Sequence, residues 1–281
     1  MSGIITITTD FGISDGYVAA MKGVILGINP EVRLVDICHN IQPQNVAQVA
    51  FVLSTAYPFF PPKTVHLVVV DPGVGTERRA IILRTPEASF VAPDNGALSY
   101  VIQQFCREPL ADDAGIQQVE LVPKLEAVEL TESRFWRTPV SPTIHGRDIF
   151  APVAALLSMG FPPINFGQEI KSAAMLPLPQ PAPGLDGSVV GHVLHIDNFG
   201  NLITNITSQH LPPTKEPIDI EVAGHVISGL SRTYAEGRGL LALIGSSGYL
   251  EVSLRGGSAH AFLKAEAGSE VRVRRLQGGG R

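Results

Sequence analysis

Residues 64–79 read TVHLVVVDPGVGTERR: an unbroken apolar run from Thr64 to Val70 stops at Asp71 and passes through a Pro-Gly turn to two arginines. Apolar continuity without alternation is what a strand covered on both faces requires, and such strands belong to sheets packed between helices. On the N-terminal side, Ile4 to Thr9 is a second, β-branched run, and it too ends on an aspartate, Asp10. Ser14 to Gly27 then places Val18, Met21 and Ile25 on one helical face, with Ser14 or Asp15 as its cap. Arg33 to Ile37 reads as a strand, and Asn45 to Tyr57 as a helix with the stripe Val46, Val49, Leu53 and Tyr57. Beyond the central run, Ala80 to Arg84 and Ser89 to Ala92 read as short strands, and Gly96 to Phe105 and Arg147 to Met159 as helices. Strands alternating with helices predict an α/β N-terminal domain, residues 1–176, with a largely parallel central sheet.

Residues 177–184, PLPQPAPG, hold four prolines and predict a linker, since such a stretch builds neither a helix nor a central strand. After it the helical signal fades. Val189 to Ile196, Leu202 to Ile206, Ile218 to Val222, Leu240 to Ile244, Tyr249 to Leu254 and Glu270 to Val273 read as strands separated by Gly, Asn or Pro turns. Residues 185–281 are therefore expected to form an all-β, antiparallel barrel domain.

Composition narrows the partners. With 44% hydrophobic and 17% charged residues the chain is no disordered polymer. A net charge of −5 gives no electrostatic footprint for nucleic acid, and Arg272, Arg274, Arg275 and Arg281 at the end read as a solvated tail. No apolar run approaches the ~20 residues of a membrane span, and no signal peptide is apparent, so a cytoplasmic protein is expected. Cys38 and Cys106 form no CxxC pair and read as buried structural thiols of a reducing compartment.

The chemistry clusters in a few segments. Asp10 and Asp71 end two strands, and in open α/β sheets ligands sit outside the carboxyl ends of the strands. Taken singly, each aspartate reads more readily as a cap for the helix or turn that follows. GVG after Asp71 lacks the third glycine and the Lys-Ser/Thr of a phosphate loop. Arg78 and Arg79 follow Asp71, and His145 lies in TIHGRDIF; a lone histidine is more often structural, yet Asp, Arg and His together can activate water. In that apparatus arginine holds charge without titrating and imidazole exchanges a proton near neutral pH. Asp197, Asn201 and Asn205 in HIDNFGNLITNI, and Ser246, Ser247 and Tyr249 in GSSGYLEV, suit recognition of a polar organic ligand, although each segment alone reads as a turn. No His/Cys cluster has zinc spacing; a metal among Asp10, Asp15, Asp94 and Asp148 is the weaker alternative.

TTDFG…DGYVAAMKG, VVVDPGVGTERR, VAPDNGALS, IHGRDIFAP, HIDNFGNLITNI and SSGYLEV, in this order, resemble the S-adenosylmethionine hydroxide adenosyltransferase family, SAM hydrolases related to fluorinase and chlorinase. The resemblance spans nearly the whole chain. It implies an α/β domain followed by a β-barrel, a homotrimer with sites between subunits, and cleavage of S-adenosylmethionine by water into adenosine and methionine without a cofactor or metal. It implies Asp71, Arg78 and His145 as the catalytic set, Asp10 on the ribose hydroxyls, Asp197 and Ser246 at the methionine amino-acid end, and Asn201 on adenine. Ser247 stands where the halogenases carry a carboxylate-binding arginine. Asp71 and Val74 stand where fluorinase has Tyr and Thr beside its halide, which favours water over halide. A SAM-dependent halogenase and a non-catalytic adenosine- or SAM-binding module are the two rival readings.

Overall fold

The computed structural model describes residues 3–106, 115–213 and 217–275. These divide into two units, Met1–Leu178 and Pro179–Arg281. In the first, β1 (Ile4–Thr9), α1 (Tyr17–Ile28), β2 (Arg33–Cys38), α2 (Val46–Ala56), β3 (Val65–Val69), β4 (Ala80–Arg84), β5 (Ser89–Pro93), α3 (Ser99–Gln103), β6 (Gln117–Glu120), β7 (Glu126–Leu130), α4 (Ala151–Ser158), β8 (Gly167–Ile170) and β9 (Ser172–Met175) follow one another. Seven strands form one sheet in the order β2-β1-β3-β5-β4-β7-β8. The pairs β2/β1, β1/β3 and β3/β5 are parallel, while β5/β4, β4/β7 and β7/β8 are antiparallel. Five of the seven strands therefore point the same way, as a largely parallel sheet requires.

The central run lies in the middle of this sheet. Val65, Leu67 and Val69 of β3 pack on one side with Met21 and Ile25 of α1 and Val153 and Ala154 of α4. Val68 and Val70 face the other side, with Val49 and Leu53 of α2 and Val101 and Ile102 of α3. Helices on both faces explain the absence of a polar phase in the sequence. His66 is the exception: it is buried, its Nδ1 lies 2.7 Å from Thr6 Oγ1, and its ring stacks on Phe90 between Tyr57 and Phe60.

Several boundaries differ from the sequence expectation for identifiable reasons. Helix α1 starts at Tyr17, with Gly16 as a cap that makes no side-chain hydrogen bond, so neither Ser14 nor Asp15 serves. The helix expected over Gly96 to Phe105 shrinks to Ser99–Gln103, because Gly96 turns at φ +97° and its carbonyl takes the Ser99 amide and hydroxyl. The helix expected from Arg147 begins instead as a wide π-turn, Gly146–Phe150, before α4. Pro152 is the cause: it has no N–H to give the carbonyl of residue 148, and its ring would clash there. That carbonyl accepts the Arg137 amide at 2.8 Å instead. Strands β6 to β9 had no sequence signature; β6 and β9 form a separate two-stranded sheet. Cys38 and Cys106 are unpaired and half-buried rather than buried.

The second unit is an antiparallel sheet of β10 (Ala182–Pro183), β11 (Val189–Ile196), β12 (Leu202–Thr207), β13 (Ile218–Val222), β14 (His225–Ser228), β15 (Leu240–Ile244), β16 (Tyr249–Leu254) and β17 (Glu270–Arg275), with α5 (Ala259–Leu263) between the last two strands. Its order is β14-β13-β17-β11-β12-β16-β15, with β10 on β11 and the end strands β14 and β15 in contact, so the sheet is nearly closed. Ile218, Ile220 and Val222 alternate into its core with Val252, Val271 and Val273. The division between the two units falls within the proline-rich segment, after Leu178. Leu178 is buried in the first unit's core, Pro179 offers its carbonyl to Asn205 Nδ2 at 3.0 Å, and Ala182–Pro183 is an edge strand, where proline is tolerated. The basic end begins as strand β17, where Arg272 pairs with Glu270 at 2.7 Å and the exposed Arg274 with Glu221 of β13 at 2.8 Å; Arg275 is exposed too, and Arg281 lies outside the described residues. No helix among the described residues is long and apolar enough to cross a membrane.

Burial pushes the His66 pKa down to about 4. The unfolded chain, with an ordinary histidine, therefore binds the extra proton first, and stability present above pH ~6.5 is lost as pH falls towards 4. A shift of that size corresponds to roughly 3 kcal/mol. Denaturant melts across this window should show that slope, and His66→Phe should flatten it; an unchanged slope would assign the acid sensitivity elsewhere.

Candidate active site

Strands β1 and β3 are adjacent and parallel, with Thr9 opposite Val69, so Asp10 and Asp71 leave the same edge of the sheet. Asp71 opens two linked turns: its carbonyl accepts the Val74 amide at 3.1 Å, and Gly73's carbonyl accepts the Thr76 amide at 3.1 Å. The turns swing Arg78 back onto Asp71. Arg78 Nε donates to Asp71 Oδ1 at 2.8 Å, and its Nη2 donates to Oδ2. With side chains 6% and 12% exposed, respectively, the carboxylate and guanidinium are held largely out of water. Two glycines permit the fold-back. A Cβ on Gly73 would stand 3.0 Å from Arg78 Cγ, and Gly75 adopts φ +79° where a Cβ would meet the Pro142 carbonyl at 2.7 Å.

That contact with Pro142 brings in the segment carrying His145. Arg78 Nη2 also lies 2.9 Å from His145 Nδ1. Guanidinium has only donors, so Nδ1 must present its lone pair and the neutral imidazole carries its proton on Nε2. Burial, reinforced by the Arg78 charge, lowers the His145 pKa, against opposing pulls from Asp71 and Asp148. A cationic His145 would place an N–H against an N–H. His145 is thus a hydrogen-bond donor at Nε2 with its Nδ1 lone pair already engaged by Arg78, a narrower role than the sequence alone indicated.

Buried Asp148 fixes the His145 segment. It accepts from the Ser141 amide at 2.9 Å, from Arg137 at 3.0 Å and from Arg147 at 2.7 Å, and the Arg147 hydrogen bond leads the causes that bring its pKa to about 2. Gly146 permits close approach to the sheet, since a Cβ there would lie 3.1 Å from Val69 Cγ1. Arg79, one residue along from Arg78, turns away to Asp94, Gln118 and the Ser172 carbonyl. Asp94 also accepts the Ala174 amide at 2.6 Å, and its neighbour Asn95 donates to the Val70 carbonyl at 2.9 Å, beside Asp71. Asp10 Oδ2 accepts the Gln44 amide at 2.8 Å. Among the described residues, no three His, Cys, Asp or Glu side chains converge as a metal site, so Asp10, Asp15, Asp94 and Asp148 do not form one.

The second unit carries its own polar cluster. Asp197 Oδ1 accepts the amides of Phe199 and Asn201, both at 2.9 Å, and Oδ2 accepts Asn201 Nδ2 at 2.8 Å. The pair builds its own turn, with Gly200 at φ +81°, and leaves Phe199 77% exposed at its tip. Ser246 and Ser247 are exposed on the β15–β16 turn, closed by Gly245 and Tyr249. Asn205 does not join them; its Oδ1 accepts the His192 amide and its Nδ2 holds Pro179. Sequence reasoning missed Glu251, which is buried and hydrogen-bonded to Tyr234 at 2.8 Å, its pKa raised by burial and by the Asp197 charge. A glutamate among the apolar residues of YLEVSL was the available signal. Phe199 and Phe150 lay inside quoted segments, but nothing in spacing sets a functional aromatic apart from a core one.

Two family models match the chain: the SAM hydroxide adenosyltransferase N-terminal domain over residues 5–167 and its C-terminal domain over residues 191–272. A (R)-S-adenosyl-L-methionine hydrolase of Salinispora tropica is 37% identical over 96% of this chain and 97% of its own, and one of Methanocaldococcus jannaschii is 33% identical over 96% and 95%. A fluorinase of Nocardia brasiliensis is 28% identical over 96% of both chains. The crystal structure of a conserved protein from Thermotoga maritima superposes with a TM-score of 0.84 at 33% identity, covering 97% of this chain and all of that one.

The tautomer can be read directly. Nitrogen-15 spectra at neutral pH should show His145 with a bare Nδ1 and a protonated Nε2. In Arg78→Met its titration should move up, because the charge that reinforces burial in lowering it is gone; a dominant Nδ1–H form would contradict the geometry.

Proposed function

The chain belongs to the SAM hydroxide adenosyltransferase family, and from that membership and the Asp71–Arg78–His145 arrangement we propose that it hydrolyses S-adenosyl-L-methionine to adenosine and L-methionine. The observation that carries this reading is the single guanidinium that ties a carboxylate and an imidazole together at the carboxyl edge of the sheet. Water attacks the ribose C5′, the C–O bond forms as the C–S bond breaks, and the bonding pair leaves on sulfur as neutral thioether. No proton goes to the leaving group, so no general acid is required. The proton lost is that of the attacking water, and Asp71, whose oxygens keep lone pairs beyond those facing Arg78, is the group to accept or orient it. His145 donates from Nε2 to the water oxygen and helps to hold its lone pair on line. The chemistry calls for neither cofactor nor metal: the sulfonium is already activated.

The remaining residues take supporting roles in this reading. Asp10 grips the ribose hydroxyls, Asp197 and Ser246 the methionine amino-acid end, and Asn201 the adenine edge, with Ser247 in place of a carboxylate-binding arginine. Asp197 is suited to an ammonium by charge, and the exposed ring of Phe199 offers a face on which a purine can stack. A cytoplasmic homotrimer completes the proposal; the exposed side chains Ile13 and Phe59 support burial against a second copy, and light scattering tests it.

Incubation with S-adenosylmethionine, with and without chloride or fluoride, and chromatography of the products separates the alternatives. Adenosine and methionine in equal amounts, independent of halide, are expected. A 5′-halo-nucleoside would make the protein a halogenase, and binding without turnover a non-catalytic module. Asp71→Asn should lower turnover by at least about a hundredfold. Arg79→Lys should lower the melting temperature while leaving turnover within about threefold, because Arg79 holds Asp94 rather than Asp71.

A further inference from the structure

Phe150 lies fully buried beneath Arg78, whose Cζ stands 5.2 Å from the ring centroid. The edges of the guanidinium are taken by Asp71 and His145, and its stem is confined by Gly73. Hydrogen bonds in the guanidinium plane still allow the plane to tilt. The aromatic face below it removes that freedom, and in a desolvated site the attraction of a cation for the ring is at its strongest. The backbone makes this possible through the π-turn Gly146–Phe150. Residues five apart diverge by about 140° on an α-helix, whereas the wider turn brings His145 and Phe150 to the same side. Both therefore meet one arginine.

We propose that Phe150 is a positioning residue of the reaction, its ring fixing the Arg78 plane so that one nitrogen serves Asp71 and His145 at once. This rests on the hydrolase reading given above. A core phenylalanine with no such role would affect stability alone; a positioning one also governs the state of His145. Arg78, Asp71 and Asp148 are the charged groups acting on His145, and only Arg78 rests on the ring.

The test uses the full-length protein, Phe150→Leu, and a pentafluorinated phenylalanine at position 150, which keeps the shape and reverses the charge distribution of the ring. The leucine variant should lose about tenfold or more in kcat with KM within about twofold. The acid limb of its rate–pH profile and the nitrogen-15 titration of His145 should both move to higher pH, as Arg78 drifts from the imidazole. The fluorinated protein should show the same changes without a comparable loss in melting temperature. Parental kcat and parental His145 titration in both variants would overturn the proposal, whatever happens to stability. Should leucine prevent folding, the fluorinated protein decides alone. Should the parent release no adenosine from S-adenosylmethionine, the hydrolase reading fails by itself, and the His145 titration still decides whether Phe150 holds Arg78 in place.

Discussion

One guanidinium joins three separate stretches of chain. Arg78, just ahead of β4, binds the carboxylate at the end of β3 and the imidazole ahead of α4, and rests on a phenylalanine from the turn between them. Much of the surrounding structure follows from keeping that group in place. Gly73 and Gly75 make room for the fold-back, Gly146 lets the histidine segment press onto β3, and Asp148 gathers Arg137, Arg147 and the Ser141 amide so that the segment has one path. Arginine is required for this task. Lysine would present a single point donor, whereas the planar fork gives two bonds to Asp71 and one to His145 with fixed angles between them.

The parts of the fold that were legible in the sequence are those where burial dictates composition. TVHLVVV announced a strand between two helical layers, and Ile218, Ile220 and Val222 announced a strand with one wet face. Strands β6 to β9 were hidden because Gln, Glu, Ala and Gly dominate them, residues whose strand preference is weak. The short strand within the proline-rich segment was hidden for a different reason: proline excludes a central strand but not an edge, and Ala182–Pro183 occupies an edge. The π-turn depends on a carbonyl orphaned by Pro152 and claimed by Arg137, a partner eleven residues before it, which periodicity does not reveal. At the basic end, the partner of Arg274 is Glu221 of β13, a contact that exists only once β17 is paired.

The candidate site was legible as a set of residue types but not as a division of roles. Asp71, Arg78 and His145 stand out by position, and the adjacent Arg78 and Arg79, just ahead of β4, turn to different carboxylates, Asp71 and Asp94. What no sequence pattern contains is the direction of the Arg78–His145 bond. That direction turns the imidazole from a candidate base into a donor. Asp197 and Asn201 show the converse. Sequence left a choice between ligand contact and turn, and the structure makes them a self-satisfied turn that still presents a carboxylate and an exposed ring.

The proposed reaction is asymmetric. A thioether departs neutral, so nothing has to be protonated on the leaving side, and the groups there need only hold the amino acid and the base. In the proposed reaction the nucleophile has to lose a proton and be aimed, and the network of Asp71, Arg78, His145 and Phe150 is suited to both tasks. A carboxylate facing the nucleophile also discriminates. It accepts a hydrogen bond from water and repels a halide, by a margin that grows as solvent is excluded and the local dielectric falls. The two hydrogen bonds from Arg78 hold the Asp71 carboxylate in one orientation while leaving lone pairs free. In the proposed reaction, selection of water over halide and orientation of that water would both fall to one carboxylate held in one place, and Arg78 is what holds it.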